Sequence, residues 1–98
     1  MVTHRCDTIR SVLNPQSITD VERPWLPVDA RGERRLIRLK RLLADAGYGW
    51  GAIGGLEGWL RAKAEGRRDS ATSPTRANYR RMIRTLGEVD PDGDGEAA

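Results

Sequence analysis

The sequence predicts an all-α protein, a small bundle of three to four short helices with a helix-turn-helix-like arrangement. Three observations predict this fold class. Apolar residues recur at three- and four-residue spacing in four segments, residues typical of helix starts and ends flank these segments, and no segment has a convincing strand pattern. We divide the chain into an N-terminal helix with a proline-containing arm at 1–30, a basic helical domain at 31–87, and an acidic tail at 88–98 that we expect to be disordered.

The first predicted helix covers residues 3–14, and Pro15 ends it. The arm at 15–30 contains three prolines and is predicted to be an extended linker. Because residues before proline disfavour the α conformation, we expect residues 24–27 to be extended and to lay Trp25 and Leu26 onto the helical body. The apolar face of the first helix comprises Val2, Cys6, Ile9 and Leu13.

The second segment, 30–46, has the clearest helical pattern, with Asp29 as its N-cap and Gly47 at its end. Its apolar face comprises Leu36, Leu39, Leu43 and Ala46. A neighbouring face carries an arginine stripe, which we define as Arg31, Arg34, Arg38 and Arg41. Because like charges at this spacing repel, we expect an anion beside the stripe, either phosphate or the acidic tail of this chain.

The third segment is rich in glycine, and we predict a helix that starts near Trp50. Its apolar seam comprises Ile53, Leu56, Leu60 and Ala64, and its adjoining face carries Gly51, Gly54, Gly55 and Gly58. Each interior glycine costs about 1 kcal/mol relative to alanine, and close packing of a second helix would compensate. We expect this glycine face to form a homodimer contact. The alternative is a helix broken at Gly54 and Gly55.

The last predicted helix covers 73–87, with Ser73 as N-cap, Pro74 at the first helical position and Gly87 at its end. Its apolar face comprises Tyr79, Met82, Ile83 and Leu86. A second basic row comprises Arg76, Arg80 and Arg84, with Arg81 further round the helix.

Charge is distributed unevenly along the chain. Residues 31–86 contain fourteen Lys and Arg against five Asp and Glu, whereas residues 88–98 contain five acidic residues and no basic one. A basic body with an acidic tail is typical of nucleic-acid-binding proteins, in which the tail can compete with phosphate. A genome rich in G and C would also favour arginine, so the placement of arginine is more informative than its amount.

Two local patterns resemble DNA-associated families. The residues from Leu43 to Ile53 resemble the junction between the first and second helices of helix-turn-helix regulators. Leu56 to Arg61, followed by Ser73 to Arg81, resembles the first two helices of the core-binding domain of tyrosine recombinases. Both resemblances imply small arginine-bearing helices that contact DNA; neither carries over recombinase activity, because the catalytic domain has no counterpart here.

The first hypothesis is a nucleic-acid-binding accessory or regulatory protein that binds double-stranded DNA through arginines of two helices. Asn78 is the candidate for base contacts, because asparagine can bind adenine in a bidentate manner. The alternative is a phage- or plasmid-type inhibitor of a host complex, similar in kind to anti-CRISPR proteins or anti-repressors, with Trp25 and Trp59 as anchors. The nucleic-acid-binding residues of the first hypothesis are Arg31, Arg34, Arg38, Arg41, Arg76, Asn78, Arg80, Arg81 and Arg84.

An enzyme is not expected, because His4 and Cys6 are two residues apart on one helix and point in different directions. Asp90, Asp92, Asp94 and Gly95 match early positions of an EF-hand loop, but the bidentate glutamate of position twelve is missing. We therefore expect neither a metal site nor a cofactor.

Overall fold

The computed structural model describes residues 18–93, and this part of the chain is entirely helical. A 3₁₀ turn, Arg23–Trp25, precedes three α-helices: α1, Ala30–Asp45; α2, Trp50–Glu65; and α3, Ser73–Arg84. The all-α prediction is confirmed for these residues, among which no strand occurs. The predicted helix at 3–14, including His4 and Cys6, lies outside the described residues, as do residues 94–98.

Helix α1 begins at the predicted residue and ends at Asp45, one residue before the predicted end at 46. The Asp29 carboxylate accepts a hydrogen bond from the Gly32 amide at 2.8 Å, which satisfies one of the free N–H groups of the first turn. At the other end, Gly47 has a φ of 100°, and the Tyr48 amide donates to the Leu43 carbonyl at 3.1 Å. This pattern is a Schellman motif, which requires a left-handed residue that glycine adopts without steric cost.

The proline-containing arm differs in part from its prediction. Pro24 and Trp25 lie in the 3₁₀ turn, in which the Trp25 amide donates to the Glu22 carbonyl at 2.9 Å. A proline φ near −65° also suits the first turn of a helix, so the expected extended conformation is wrong there and starts only at Leu26. Trp25 and Leu26 are buried, which confirms that the arm packs on the helical body.

Helix α2 runs without interruption through Gly54 and Gly55, which confirms the predicted helix and rules out the alternative of a break at these two glycines. Ile53, Leu56 and Leu60 of the predicted seam are buried. Burial of a leucine or isoleucine side chain stabilises a fold by about 1.5–3 kcal/mol, and three such residues offset the helix propensity that the glycines lose.

The N-cap of helix α3 lies one residue before the predicted one. Thr72, and not Ser73, is the N-cap, and its hydroxyl accepts a hydrogen bond from the Thr75 amide at 3.3 Å. Pro74 lies in the first turn as expected, where no intrahelical N–H is needed. The helix ends at Arg84, and Gly87 takes a left-handed φ of 75° three residues later.

The core lies between the three helices and the arm. Its fully buried apolar side chains come from all three helices: Leu36, Leu39, Leu43, Ile53, Leu56, Leu60 and Met82. Glu22 from the arm is also fully buried, and its carboxylate lies 3.5 Å from Lys63 Nζ and 3.3 Å from Arg80 Nε. The arm is therefore joined to α2 and α3 by charge as well as by apolar contact.

Six residues of the acidic tail, 88–93, lie within the described range, and the predicted disorder of the whole tail stays a prediction. Val89 is half-buried against the core, and the Gly93 amide donates to the Asp90 carbonyl at 3.0 Å to close a turn. None of the helices formed by residues 18–93 combines the length and the apolar character that a bilayer crossing requires.

Candidate nucleic-acid interface

The arginine stripe lies on the side of α1 that faces away from the core. Arg31, Arg34 and Arg41 are exposed, and Arg38 is half-buried. From Arg31 to Arg41 the stripe extends about 15 Å, at about 1.5 Å per residue. The outward position of the stripe follows from the spacing of the apolar residues of α1, because burial of the leucines places the arginines on the opposite side of the helix.

A carboxylate of the chain itself lies on this stripe. Asp92 accepts two hydrogen bonds from the Arg35 guanidinium, one of them from Nε at 2.8 Å. Arg31 Nε lies 3.8 Å from the same carboxylate, and Arg38 Nε donates to the Asp90 carbonyl at 3.2 Å. The hydrogen bond from Arg35 lowers the pKa of Asp92 below its ordinary value, so this carboxylate stays ionised well into acid.

Within residues 18–93, Arg34 and Arg41 form no hydrogen bond and no ion pair shorter than 4 Å, although the charge of Arg34 helps to lower the pKa of Asp92. Both are exposed, and Ile37 lies on the same face with half of its surface in water. Together with Arg31, Arg35, Arg38 and Pro91 these side chains surround a shallow cleft of about 190 Å³. Arg34 and Arg41 can therefore bind an external anion without first breaking a hydrogen bond or an ion pair within the chain.

The second basic row does not form a single face. Arg80 pairs with the buried Glu22 and lies 5.5 Å from the centre of the Trp59 ring. Arg76 donates to the Ala71 carbonyl at 2.7 Å and so stabilises the start of α3. Both guanidinium groups therefore have partners within the chain, and their predicted contact with DNA stays a prediction.

The other predicted DNA-contacting residues of α3 face water. Asn78, Arg81 and Arg84 are exposed and follow one another at three-residue spacing. Arg84 borders a cleft that also contains Val89 and Pro91 of the tail, and Pro91 borders the cleft on α1 as well. Pro91 of the tail therefore borders both the cleft beside Arg84 and the cleft beside the arginine stripe.

The predicted interface tryptophans are not exposed. Trp25 and Trp59 have 4% and 3% of their surface in water, and Trp59 lies between Lys63, Tyr79 and Arg80. Their predicted role as exposed anchors does not fit this burial, because an anchor residue has to reach a partner without unfolding of the core. The exposed tryptophan is Trp50, with 69% of its surface in water.

The glycine face of α2 divides into two parts. A Cβ atom on Gly55 would lie 2.5 Å from the Tyr79 hydroxyl, so this glycine permits the close approach of α3 within the chain. Gly51, Gly54 and Gly58 have no atom within 4 Å of an added Cβ. Gly55 therefore does not belong to an external contact surface, whereas the other three glycines remain accessible.

Sequence reasoning missed Glu22, Arg35 and Trp50 as residues of consequence. Arg35 lies beside the stripe in the helical pattern and could have been included on that ground. No signal in the sequence pointed to Glu22, because a glutamate in a proline-containing arm is usually solvated.

Among residues 18–93, no three His, Cys, Asp or Glu side chains converge as a metal site. Comparisons with protein-family models, curated proteins and solved structures give no match. The resemblances to helix-turn-helix regulators and to the core-binding domain of tyrosine recombinases therefore remain predictions.

Proposed function

We propose that this chain is a small, basic, helical nucleic-acid-binding accessory or regulatory protein that binds double-stranded DNA through the arginine stripe of α1. One observation carries the proposal: four arginines share one outward face of a well-formed helix. Arginine forms bidentate hydrogen bonds with phosphate and stays charged at every physiological pH, which suits this surface to a polyanion.

The mode of binding follows from the chemistry of the stripe. Phosphate contacts orient a protein on DNA but carry no sequence information, so binding through α1 is expected to tolerate many sequences. Neutralisation of four phosphates releases counterions, and each contact contributes about −0.9 to the salt dependence. A plot of the logarithm of the binding constant against that of salt concentration should therefore have a slope of about −3 to −4.

Helix α3 is the proposed second contact. Asn78, Arg81 and Arg84 are exposed on it, and Asn78 and the arginines can form bidentate contacts with base edges. If the protein binds DNA in the manner of a helix-turn-helix protein, α1 would contact the DNA backbone and α3 would contact base edges and provide sequence preference. A cytoplasmic location belongs to the same proposal.

The test measures binding of the intact protein to random duplex DNA by fluorescence anisotropy at several salt concentrations. A variant with Arg34→Ala, Arg38→Ala and Arg41→Ala should lose most of its binding. The matched control loses the same charge elsewhere, through substitution of Arg23, Arg67 and Arg68 by alanine. Absence of binding by the intact protein at low salt, or equal loss in both variants, would disprove the proposal.

The exposed glycines of α2 support a second candidate function, the binding of a partner protein. Gly51, Gly54 and Gly58 are exposed, although each costs about 1 kcal/mol in a helix interior, and Trp50 beside them is exposed. Close approach of a partner helix would account for both features, whether the partner is a second copy or a host protein bound by a phage- or plasmid-type inhibitor. Analytical ultracentrifugation tests the homodimer: a Gly58→Leu variant should dissociate it, and a native monomer would refute it.

A further inference from the structure

We propose that Arg35, flanked by Arg31 and Arg38, is the phosphate seat of the α1 surface, and that residues 88–93 form a strap whose Asp92 carboxylate competes for this seat. The inference rests on the proposed function, since the competitor matters only if a polyanion binds α1. It adds a binding residue outside the stripe and a regulatory contact within the chain.

The seat is defined by the geometry of the Arg35 fork. Its Nε and Nη2 atoms donate to the two oxygens of Asp92, which is the parallel arrangement that arginine also makes with phosphate. The Arg35 side chain keeps only 25% of its surface in water, because Asp92 and the strap cover it. A phosphate group can take the same two hydrogen bonds only after the carboxylate leaves.

The strap is held in place by apolar contact as well as by charge. Gly87 has a left-handed φ of 75° after α3, and Val89 packs against the core and lines a cleft together with Val21 and Ile83. The Asp92 amide donates to the Asp90 carboxylate at 3.0 Å, which shapes the turn that presents Asp92 to α1. Apolar anchoring at Val89 therefore precedes the ionic contact along the chain.

The competition is expected to be moderate. Asp92 has 43% of its side-chain surface in water, and exposed ion pairs are weak, so removal of this pair should raise affinity for DNA about two- to fivefold. A tethered carboxylate nevertheless acts at an effective concentration of about millimolar, which a free anion must exceed. The strap tunes affinity without closing the surface.

Three variants of the intact protein separate this contact from general charge. Asp92→Asn removes both the charge and the contact with Arg35. Glu88→Gln removes one charge from the same tail, and the side chain of Glu88 has no hydrogen bond or ion pair within the described residues. Val89→Ser changes no charge and weakens the anchor. Circular dichroism checks that Val89→Ser keeps native helicity. If this variant loses helicity, Asp92→Asn alone tests whether the strap competes with DNA.

Affinity for random duplex DNA at about 50 mM salt is the first measurement. Asp92→Asn and Val89→Ser should each bind about two- to fivefold more tightly, whereas Glu88→Gln should change by less than about 1.5-fold. An equal gain from Asp92→Asn and Glu88→Gln would show that only net charge matters and would overturn the strap. No gain from Asp92→Asn would overturn it as well.

The second measurement does not depend on DNA. Inorganic pyrophosphate is titrated while the Nε–H resonance of Arg35 is followed by nuclear magnetic resonance, and Asp92→Asn should respond at a severalfold lower concentration than the native chain. If pyrophosphate binds at Arg35 while no variant binds duplex DNA, the seat stands and the proposed function fails. If duplex DNA binds and Arg35→Ala leaves that binding unchanged, the seat fails and the proposed function stands.

Discussion

Substitution of the buried glutamate is the sharpest test of how this small fold is held together. Glu22 has no surface in water, and its carboxylate accepts hydrogen bonds from the Thr19 amide at 3.0 Å and from the Thr19 hydroxyl. It also faces Lys63 and Arg80, at 3.5 and 3.3 Å. The variant Glu22→Gln keeps the shape of the side chain and removes its charge.

The expected loss follows from the burial of the partners. The Lys63 side chain has no surface in water, whereas the Arg80 side chain keeps 20%. Arg80 can therefore be partly hydrated in the variant, while Lys63 loses its closest carboxylate inside the core. Loss of one partner of a buried pair costs about 3–5 kcal/mol, and the lower end, about 3 kcal/mol, applies here.

Urea denaturation followed by tryptophan fluorescence measures this loss. With a slope of about 1–2 kcal/mol per molar urea for a chain of this size, the midpoint should fall by about 1.5–3 M. The control is Glu57→Gln, which breaks half-buried pairs with Lys40 and Arg61 and should cost about 1 kcal/mol or less. A loss for Glu22→Gln within about 0.5 kcal/mol of the control would refute the reasoning.

The same carboxylate predicts instability in acid. Burial raises the pKa of Glu22, but hydrogen bonds from Thr19 and Arg80 outweigh burial and leave the pKa below its ordinary value of 4.5. A carboxylate with a lower pKa in the folded state stabilises the fold above pH 4.5, and this stabilisation is lost as the pH falls through the folded pKa. The urea midpoint of the native chain should fall over this acid range, and that of Glu22→Gln should fall less.

The remaining predictions concern helix stability. Gly54→Ala and Gly58→Ala should each raise the free energy of unfolding by about 0.5–1 kcal/mol, because nothing obstructs the new methyl group; Gly55→Ala should give no gain, because of the Tyr79 hydroxyl. Equal gains at all three positions in thermal denaturation would contradict this description of α2. Asp29→Ala should cost about 1 kcal/mol through loss of the N-cap of α1, and an unchanged melting temperature would contradict it.

The predictability of the fold varied with the range of the interactions involved. Helix α1 could be predicted to within one residue, because its cap at Asp29, its leucine spacing and the turn at Gly47 are all local signals. The apolar seam also predicted helix α2, but the low helix propensity of Gly54 and Gly55 left a break as the alternative, and burial of the seam decides against that break.

The candidate site was predictable to the same extent. Periodicity placed the stripe of α1 on an outward face, and the charge distribution suggested the acidic tail as its neighbour. Periodicity could not separate Arg81 from Arg80, because the internal role of Arg80 depends on Glu22, which is 58 residues away in the chain. Nor could it show that Val89 would hold the tail in place.

The separation of Glu22 and Arg80 in the sequence also affects how the chain folds during its synthesis. On the ribosome, the arm, α1 and α2 are synthesised before Arg80, so a nascent chain that ends just after α2 contains Lys63 but not Arg80 as a partner for Glu22. Such an intermediate also exposes the leucine faces that α3 later covers, which makes it a substrate for chaperones and proteases. Synthesis of α3 should therefore be the step that commits the polypeptide to its native state.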